Sequence, residues 1–154
     1  MPPLVVEDPH SLRHFVDREI ATTEWFSVTP DRIQQFAETT EDRQWIHVDR
    51  ERAQRDSPYG TTIAHGFLTL SLLSHFLQQA IQIGSGVRMS VNYGLNRVRF
   101  PSPVLAGSRV RARFTLHAIK DIAGGVESTF SVIIESEDSE KPCCVAEWVI
   151  RYYL

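Results

Sequence analysis

The stretch that decides the fold is "AHGFLTLSLLSHFLQQAI", residues 64–81. It predicts one long helix, about Ala64 to Ile81, whose apolar positions (Phe67, Leu68, Leu70, Leu72, Leu73, Phe76, Leu77) go nearly all round. A surface helix carries one apolar stripe, so a helix apolar on most sides is buried on most sides. From Thr61 to Val87 there is also no Asp, Glu, Lys or Arg, enough length to cross a bilayer at about 20 residues per span. His65, His75, Gln78, Gln79 and Gln82 argue against that, because lipid penalises so many polar groups. The helix is expected to be enclosed by protein.

Sequence beyond the helix supplies the enclosure. Val110, Ala112, Phe114 and Leu116 alternate with Arg109, Arg111, Arg113 and Thr115, a period of two that marks a strand with one buried face. Ala123-Gly124-Gly125 is a hairpin turn, after which Val126, Ser128, Phe130, Val132 and Ile134 alternate again. Ala146, Trp148, Ile150 and Tyr152 close the chain the same way, and Met89 to Phe100 is a further strand, interrupted at Gly94 and ended by Pro101 and Pro103. One enclosed helix followed by a meander of long strands is an α+β pattern: a long central helix wrapped by a curved antiparallel β-sheet, the hot dog fold. Such a sheet leaves a flank open, and pairing with a second copy into a homodimer is the expected remedy.

Ahead of the helix, Ser11 is expected to cap a short helix with Leu12, Phe15 and Val16 on one face. Residues 1–24 then form an N-terminal helical extension to a single domain spanning 1–154. Trp25 to Val28 reads as a brief strand, and Thr29-Pro30-Asp31 starts a helix whose apolar face holds Ile33, Phe36 and Ala37. Asp49 caps another short helix through Ala53, and "SPYGT", residues 57–61, is a loop.

Composition excludes several classes. A chain of 154 residues is one domain with room for a real core, and a formal net charge of −3 gives no general attraction to nucleic acid. Cys143 and Cys144 are neighbours, unsuited to a disulfide with each other and lacking the spacing of a zinc site. They fit a reducing compartment. "MPPLVVEDPHSLRHF" lacks the basic and apolar regions of a secretory signal, so a cytoplasmic protein is expected.

Chemistry concentrates in "EDRQWIHVD", residues 41–49. Asp42 and His47 there suit a solvated turn, a metal site or an acid/base pair. Histidine exchanges protons near neutral pH, and a carboxylate beside it can orient a water. A metal is disfavoured by the absence of compact His or Cys spacing. In "TTIAHGFLTLS", residues 61–71, Gly66 opens the buried helix at a cost of about 1 kcal/mol against alanine. It either eases packing of the loop or leaves a backbone N–H open to a ligand carbonyl at the positive end of the helix. His65 is a second catalytic histidine or a structural one, and Ser71 faces a ligand or back-bonds within its helix.

Together these residues resemble the MaoC-like dehydratase family, which includes the R-specific enoyl-CoA hydratases. The family pattern runs roughly Gly-Asp-x-Asn-Pro-[Ile/Leu]-His, five residues, Ala, and later Ala-His-Gly. Here it reads Glu41-Asp42-Arg43-Gln44-Trp45-Ile46-His47, five residues, Ala53, then Ala64-His65-Gly66. "RFPSPVLAGSRVR", residues 99–111, is similar to the strand-turn-strand that follows the family's helix, and the resemblance spans about residues 25–154. It implies reversible hydration of trans-2-enoyl-CoA to (R)-3-hydroxyacyl-CoA. Asp42 and His47 would activate the water, the Gly66 N–H would hold the thioester carbonyl, and Gln44 and Ser71 would contact substrate.

No metal or redox cofactor is implied; the CoA or acyl-carrier-protein thioester is the substrate. Arg97, Arg99, Arg109, Arg111 and Arg113 would supply phosphate contacts or merely a solvated sheet face. Glu41, Gln44 and Trp45 replace the usual Gly, Asn and Pro, a variant most similar to the nodulation protein N-like branch. Two alternatives are a thioesterase on the same fold, which the absence of carboxylates over residues 61–87 opposes, and a non-enzymatic acyl-thioester binding protein.

Overall fold

The computed structural model describes residues 1–154. Its elements, in chain order, are β1 (Leu4–Val6), a 3-10 helix (Pro9–Phe15), β2 (Arg18–Thr22), β3 (Phe26–Ser27), α1 (Pro30–Thr40), α2 (Trp45–Val48), α3 (Arg50–Asp56), α4 (Gly66–Ser71), α5 (Leu73–Ala80), β4 (Ile81–Ile83), β5 (Met89–Arg99), β6 (Arg109–Ile122), β7 (Gly125–Ser136) and β8 (Cys144–Tyr153). The main sheet runs β2-β6-β7-β8-β5, all antiparallel, with β3 also on β6. This is the hot dog fold, a central helix against an antiparallel sheet.

The period-two pattern determines which face meets the helix. Val110, Ala112, Phe114 and Leu116 of β6, Val126, Phe130, Val132 and Ile134 of β7, and Ala146, Trp148, Ile150 and Tyr152 of β8 are all buried. They share one apolar cluster with Leu68, Leu73, Phe76 and Ala80 of the central helix. Phe114 and Phe130 meet edge to face at 6.1 Å, a geometry contributing about 0.5–1.5 kcal/mol beyond area burial. A Cβ at Gly125 would collide with the Tyr152 carbonyl, so the β6–β7 turn needs glycine for close approach of two strands.

The outer face carries the alternate residues. Arg109 pairs with Glu137, Arg111 with Glu135, and Arg113 with both Glu135 and Glu19, while Trp25 lies under the guanidinium of Arg111 at 4.5 Å. Arg97 and Arg99 on β5 have no such acid partner. The two edges differ. β2 is five residues long and its register slips between Glu19 and Ala21, whereas β5 is eleven residues long and pairs only with β8. Met89, Tyr93 and Leu95 of β5 are exposed.

Two expectations are corrected. The helix expected over Ala64–Ile81 is in two pieces, broken at Leu72, and Ile81 belongs to β4. The Ser71 hydroxyl donates to the Leu68 carbonyl at 2.6 Å, and Leu72 N–H bonds back to Thr69 at 3.2 Å, so the turn tightens there. Residues 1–24 are not a helical extension. They supply β1, which pairs in parallel with β4 (Leu4↔Ile81), and β2, an edge of the main sheet, around a single 3-10 helix. Its cap is Asp8, which accepts from Ser11 N–H at 3.0 Å, and not Ser11 itself. Short strands completed by distant partners carry little periodicity of their own, so the capping signal dominated.

Candidate functional site

The acidic loop begins where α1 stops. Thr29 caps α1, accepting from Arg32 N–H, and Glu41 ends it in the left-handed conformation at φ 63°, the position where helices prefer glycine. The Gly of the family pattern falls here, and Glu41 carries the strain instead, its carboxylate paired with Arg43. Trp45 occupies the first position of α2, where proline suits because its missing N–H has no helical partner. Arg52 covers its ring at 4.3 Å. Glu41 and Trp45 thus occupy backbone roles that Gly and Pro would fill, and the loop keeps its course.

Gln44 caps α2 with its backbone only; its N–H lies 3.4 Å from Asp42 Oδ1, a long contact, and its side chain is exposed. Asp49 caps α3, accepting from Arg52 N–H at 3.0 Å, as expected.

One turn of α2 presents His47. Its Nδ1 sits 2.7 Å from the Ile63 carbonyl, which only accepts, so Nδ1 carries the proton and Nε2 is left as a bare base. Ile63 N–H in turn donates to Ile46 O at 3.0 Å, strapping the loop before α4 onto α2. Burial lowers the His47 pKa below the ordinary imidazole value; the Ile63 carbonyl partly counters it, nearby His65 adds to the lowering, and Asp42 opposes it.

His65, only 3% exposed, donates from Nε2 to the backbone carbonyl of Asp42 at 2.9 Å. Its ring stacks on His47 with centroids 3.8 Å apart and planes 22° apart, and Phe36 packs at 5.0 Å. Ligand-type atoms of Asp42, His47 and His65 lie within 4.8 Å of one another. One nitrogen on each ring is committed to a backbone carbonyl, His47 Nδ1 to Ile63 and His65 Nε2 to Asp42, which leaves one free nitrogen per imidazole.

Gly66 begins α4. The first helical bonds are donated by Leu68 and Thr69 to the His65 carbonyl, leaving the Gly66 N–H without a helical acceptor. Its φ is not in the left-handed region; what glycine provides is space, because a Cβ would stand 3.1 Å from the Phe100 ring. His47 and Gly66 line one cavity of about 300 Å³ together with Tyr59, Ile63, Thr69 and Phe100.

Asp42 is exposed and lies outside that lining, beside His47. Ser71 lines a different cavity, about 170 Å³, with Phe67, Leu70, Asn92, Leu95 and Trp148, and its proton is committed to Leu68. Sequence reasoning did not single out Phe100 or Tyr59, since lone aromatics carry no spacing signal. It left His65 ambiguous because the bond to Asp42 spans 23 positions.

The MaoC like domain family matches residues 12–137. The chain belongs to the MaoC-like dehydratase family. Among relatives, this MaoC-like protein is 49% identical over 135 residues to 3-hydroxyacyl-thioester dehydratase Z of Mycobacterium tuberculosis, covering 87% of this chain and 88% of that one. It is 44% identical to nodulation protein N of Rhizobium leguminosarum bv. viciae, over 87% and 84% of the two chains. The unliganded R-hydratase PhaJ1 of Pseudomonas aeruginosa shares the fold, with a TM-score of 0.69 at 22% identity over 90% of this chain and 81% of that one.

Proposed function

We propose that this MaoC-like protein interconverts trans-2-enoyl and (R)-3-hydroxyacyl thioesters by adding and removing water. The coarse activity, a hydro-lyase acting on 3-hydroxyacyl thioesters, follows from family membership and from the dehydratase relative that spans most of the chain. The observation that carries the finer reading is His47. Its Nδ1 is committed to Ile63, which frees Nε2 as a base beside Asp42, and it lines the cavity that Gly66 also lines.

In hydration, Asp42 and His47 hold one water between them. Its oxygen bonds to C3 as the double-bond electrons move toward the carbonyl, and its proton passes to the pair and then to C2. The Gly66 N–H stabilises the enolate on the thioester oxygen, the kind of contact whose loss costs about 10²–10³ in rate. Gln44 and Ser71 are assigned to substrate contacts at the rim and along the acyl chain. A thioesterase is the weaker alternative, because α4 and α5 carry no carboxylate.

The substrate is an acyl-CoA or acyl-carrier-protein thioester. The working unit is a homodimer joined through the open edge of β5, where Met89, Tyr93 and Leu95 are exposed. A cytoplasmic setting fits the two free cysteines, and no helix is long and apolar enough to cross a membrane. The test is turnover of crotonyl-CoA and longer enoyl-CoAs, followed by loss of enoyl absorbance. Activity that survives both Asp42→Asn and His47→Ala refutes the assignment. Tight acyl-CoA binding without hydration at any chain length favours the non-enzymatic reading.

A further inference from the structure

We propose that His65 is a positioning residue that locks Asp42 and His47 into one relation, through its Nε2–H on the Asp42 carbonyl and its ring face on the His47 imidazole. The inference rests on the proposed hydration. A carboxylate and an imidazole that share one water must be held at a fixed separation, and misplacement by about 1 Å costs roughly 100-fold in rate.

Neither group secures itself. Asp42 is exposed at the end of the turn after α1, and the single bond to its carboxylate is the long 3.4 Å contact from Gln44 N–H. Its backbone is held by the 2.9 Å bond from His65, which comes from the start of the central helix. His47 is held on one edge by Ile63 and on one face by the His65 ring at 3.8 Å. His65 is itself wedged against Phe36 of α1 at 5.0 Å and is nearly inaccessible. One imidazole therefore touches the backbone of one reacting residue and the ring of the other, and it sits one residue before the glycine assigned to the carbonyl.

The tautomer is fixed as well. A carbonyl accepts only, so Nε2 of His65 bears the proton, and its buried Nδ1 has no partner. The buried His65 ring covers one face of His47, and burial of that kind favours the neutral imidazole of His47. The other ionisable groups around His47 are Asp42 and, lining the cavity, Tyr59 and Cys143, whose thiol burial pushes up to about 12. Of these, only Asp42 is in direct contact with His65.

Two substitutions separate the functions of the ring. His65→Phe keeps the stack and removes the donor; His65→Gln keeps a donor near the Asp42 carbonyl and removes the stack. Each is measured by thermal melting, by kcat and KM on crotonyl-CoA across pH, and by NMR titration of the His47 imidazole without substrate. His65→Phe is expected to lower kcat about 100-fold with KM within about threefold. His65→Gln is expected to recover at least about tenfold of that loss, and to raise the His47 midpoint and the acid limb of kcat/KM together.

Wild-type kcat in His65→Phe, or a His47 midpoint unmoved in His65→Gln, overturns the proposal. If His65→Phe does not fold, the titration of His65→Gln decides alone. Because that titration needs no substrate, a wild-type protein without turnover whose His47 midpoint still moves in His65→Gln refutes the reaction and supports the positioning.

Discussion

Gly66→Ala isolates the backbone contribution to the site. The new methyl would stand 3.1–3.2 Å from three carbons of the Phe100 ring, against an ordinary carbon–carbon separation of about 3.5–4.0 Å. A ring shift of about 0.5 Å removes the overlap, and Phe100 is 42% exposed, so it has room to move. Overpacking at such a yielding contact costs about 1 kcal/mol, and alanine regains up to about 1 kcal/mol of helix propensity. Stability should therefore change by less than about 1 kcal/mol, or roughly 2–4 °C in Tm for a domain of this size.

Turnover should respond very differently. The methyl sits beside the N–H assigned to the thioester carbonyl, and loss of one such donor costs about 10²–10³ in kcat, or roughly 3–4 kcal/mol. The assay is hydration of crotonyl-CoA beside a thermal melt. Adding Phe100→Ala relieves the contact, so the double variant should regain any lost Tm but not the rate. Gly66→Ala within threefold of wild-type turnover, or a double variant with restored turnover, refutes the backbone role.

Replacing Asp42 by Asn or His47 by Ala should each lower kcat/KM by about 10²–10⁴, while Asp42→Asn leaves Tm nearly unchanged because its carboxylate supports only one long contact. The His47 pKa is lowered, so its base form is present above a midpoint below about 6.5; hydration should hold from neutral pH down to that value and fall only beneath it. The same lowering predicts that folded stability declines as pH falls below about 6.5, since the unfolded chain then binds the proton more readily, as acid titration of Tm would show. Glu41→Gly should raise stability by up to about 1 kcal/mol in denaturant titration, by releasing a left-handed non-glycine residue at φ 63°. Burial pushes the Cys143 and Cys144 thiols up to about 12 and about 11, so neither should react with iodoacetamide at pH 8 until denaturant is added, as mass spectrometry would show.

Strands β5 to β8 were legible because each long strand repeats its pattern enough times to declare a face: Val110 to Leu116 and Val126 to Ile134 are inward as their alternation requires. The caps at Thr29 and Asp49 were legible because capping is local. The strands at Leu4–Val6 and Arg18–Thr22 were not, since each exists by virtue of a partner at Ile81 or Leu116 far along the chain. Continuous hydrophobicity hid the break at Leu72, which follows from one serine hydroxyl turned onto its own helix. At the site, Asp42, His47 and Gly66 were named from residue type and motif, and the structure brings His47 and Gly66 to one cavity with Asp42 beside them. Ser71, left open between facing a ligand and back-bonding, back-bonds to Leu68 and lines a separate cavity, because sequence spacing does not report which side of the helix faces which cavity.

The unequal edges of the sheet limit how far copies of this chain can add to one another. A sheet with two long bare edges is a template for indefinite strand addition. Here the far edge is five residues, slipped in register and bearing Arg18 and Glu19, which leaves little to extend. Only the β5 side offers eleven residues of unpaired backbone. In the proposed homodimer, joined about a two-fold axis, that side would be consumed on both partners at once, and growth would stop at two. The asymmetry would set the stoichiometry of that homodimer and cover the exposed β5 edge.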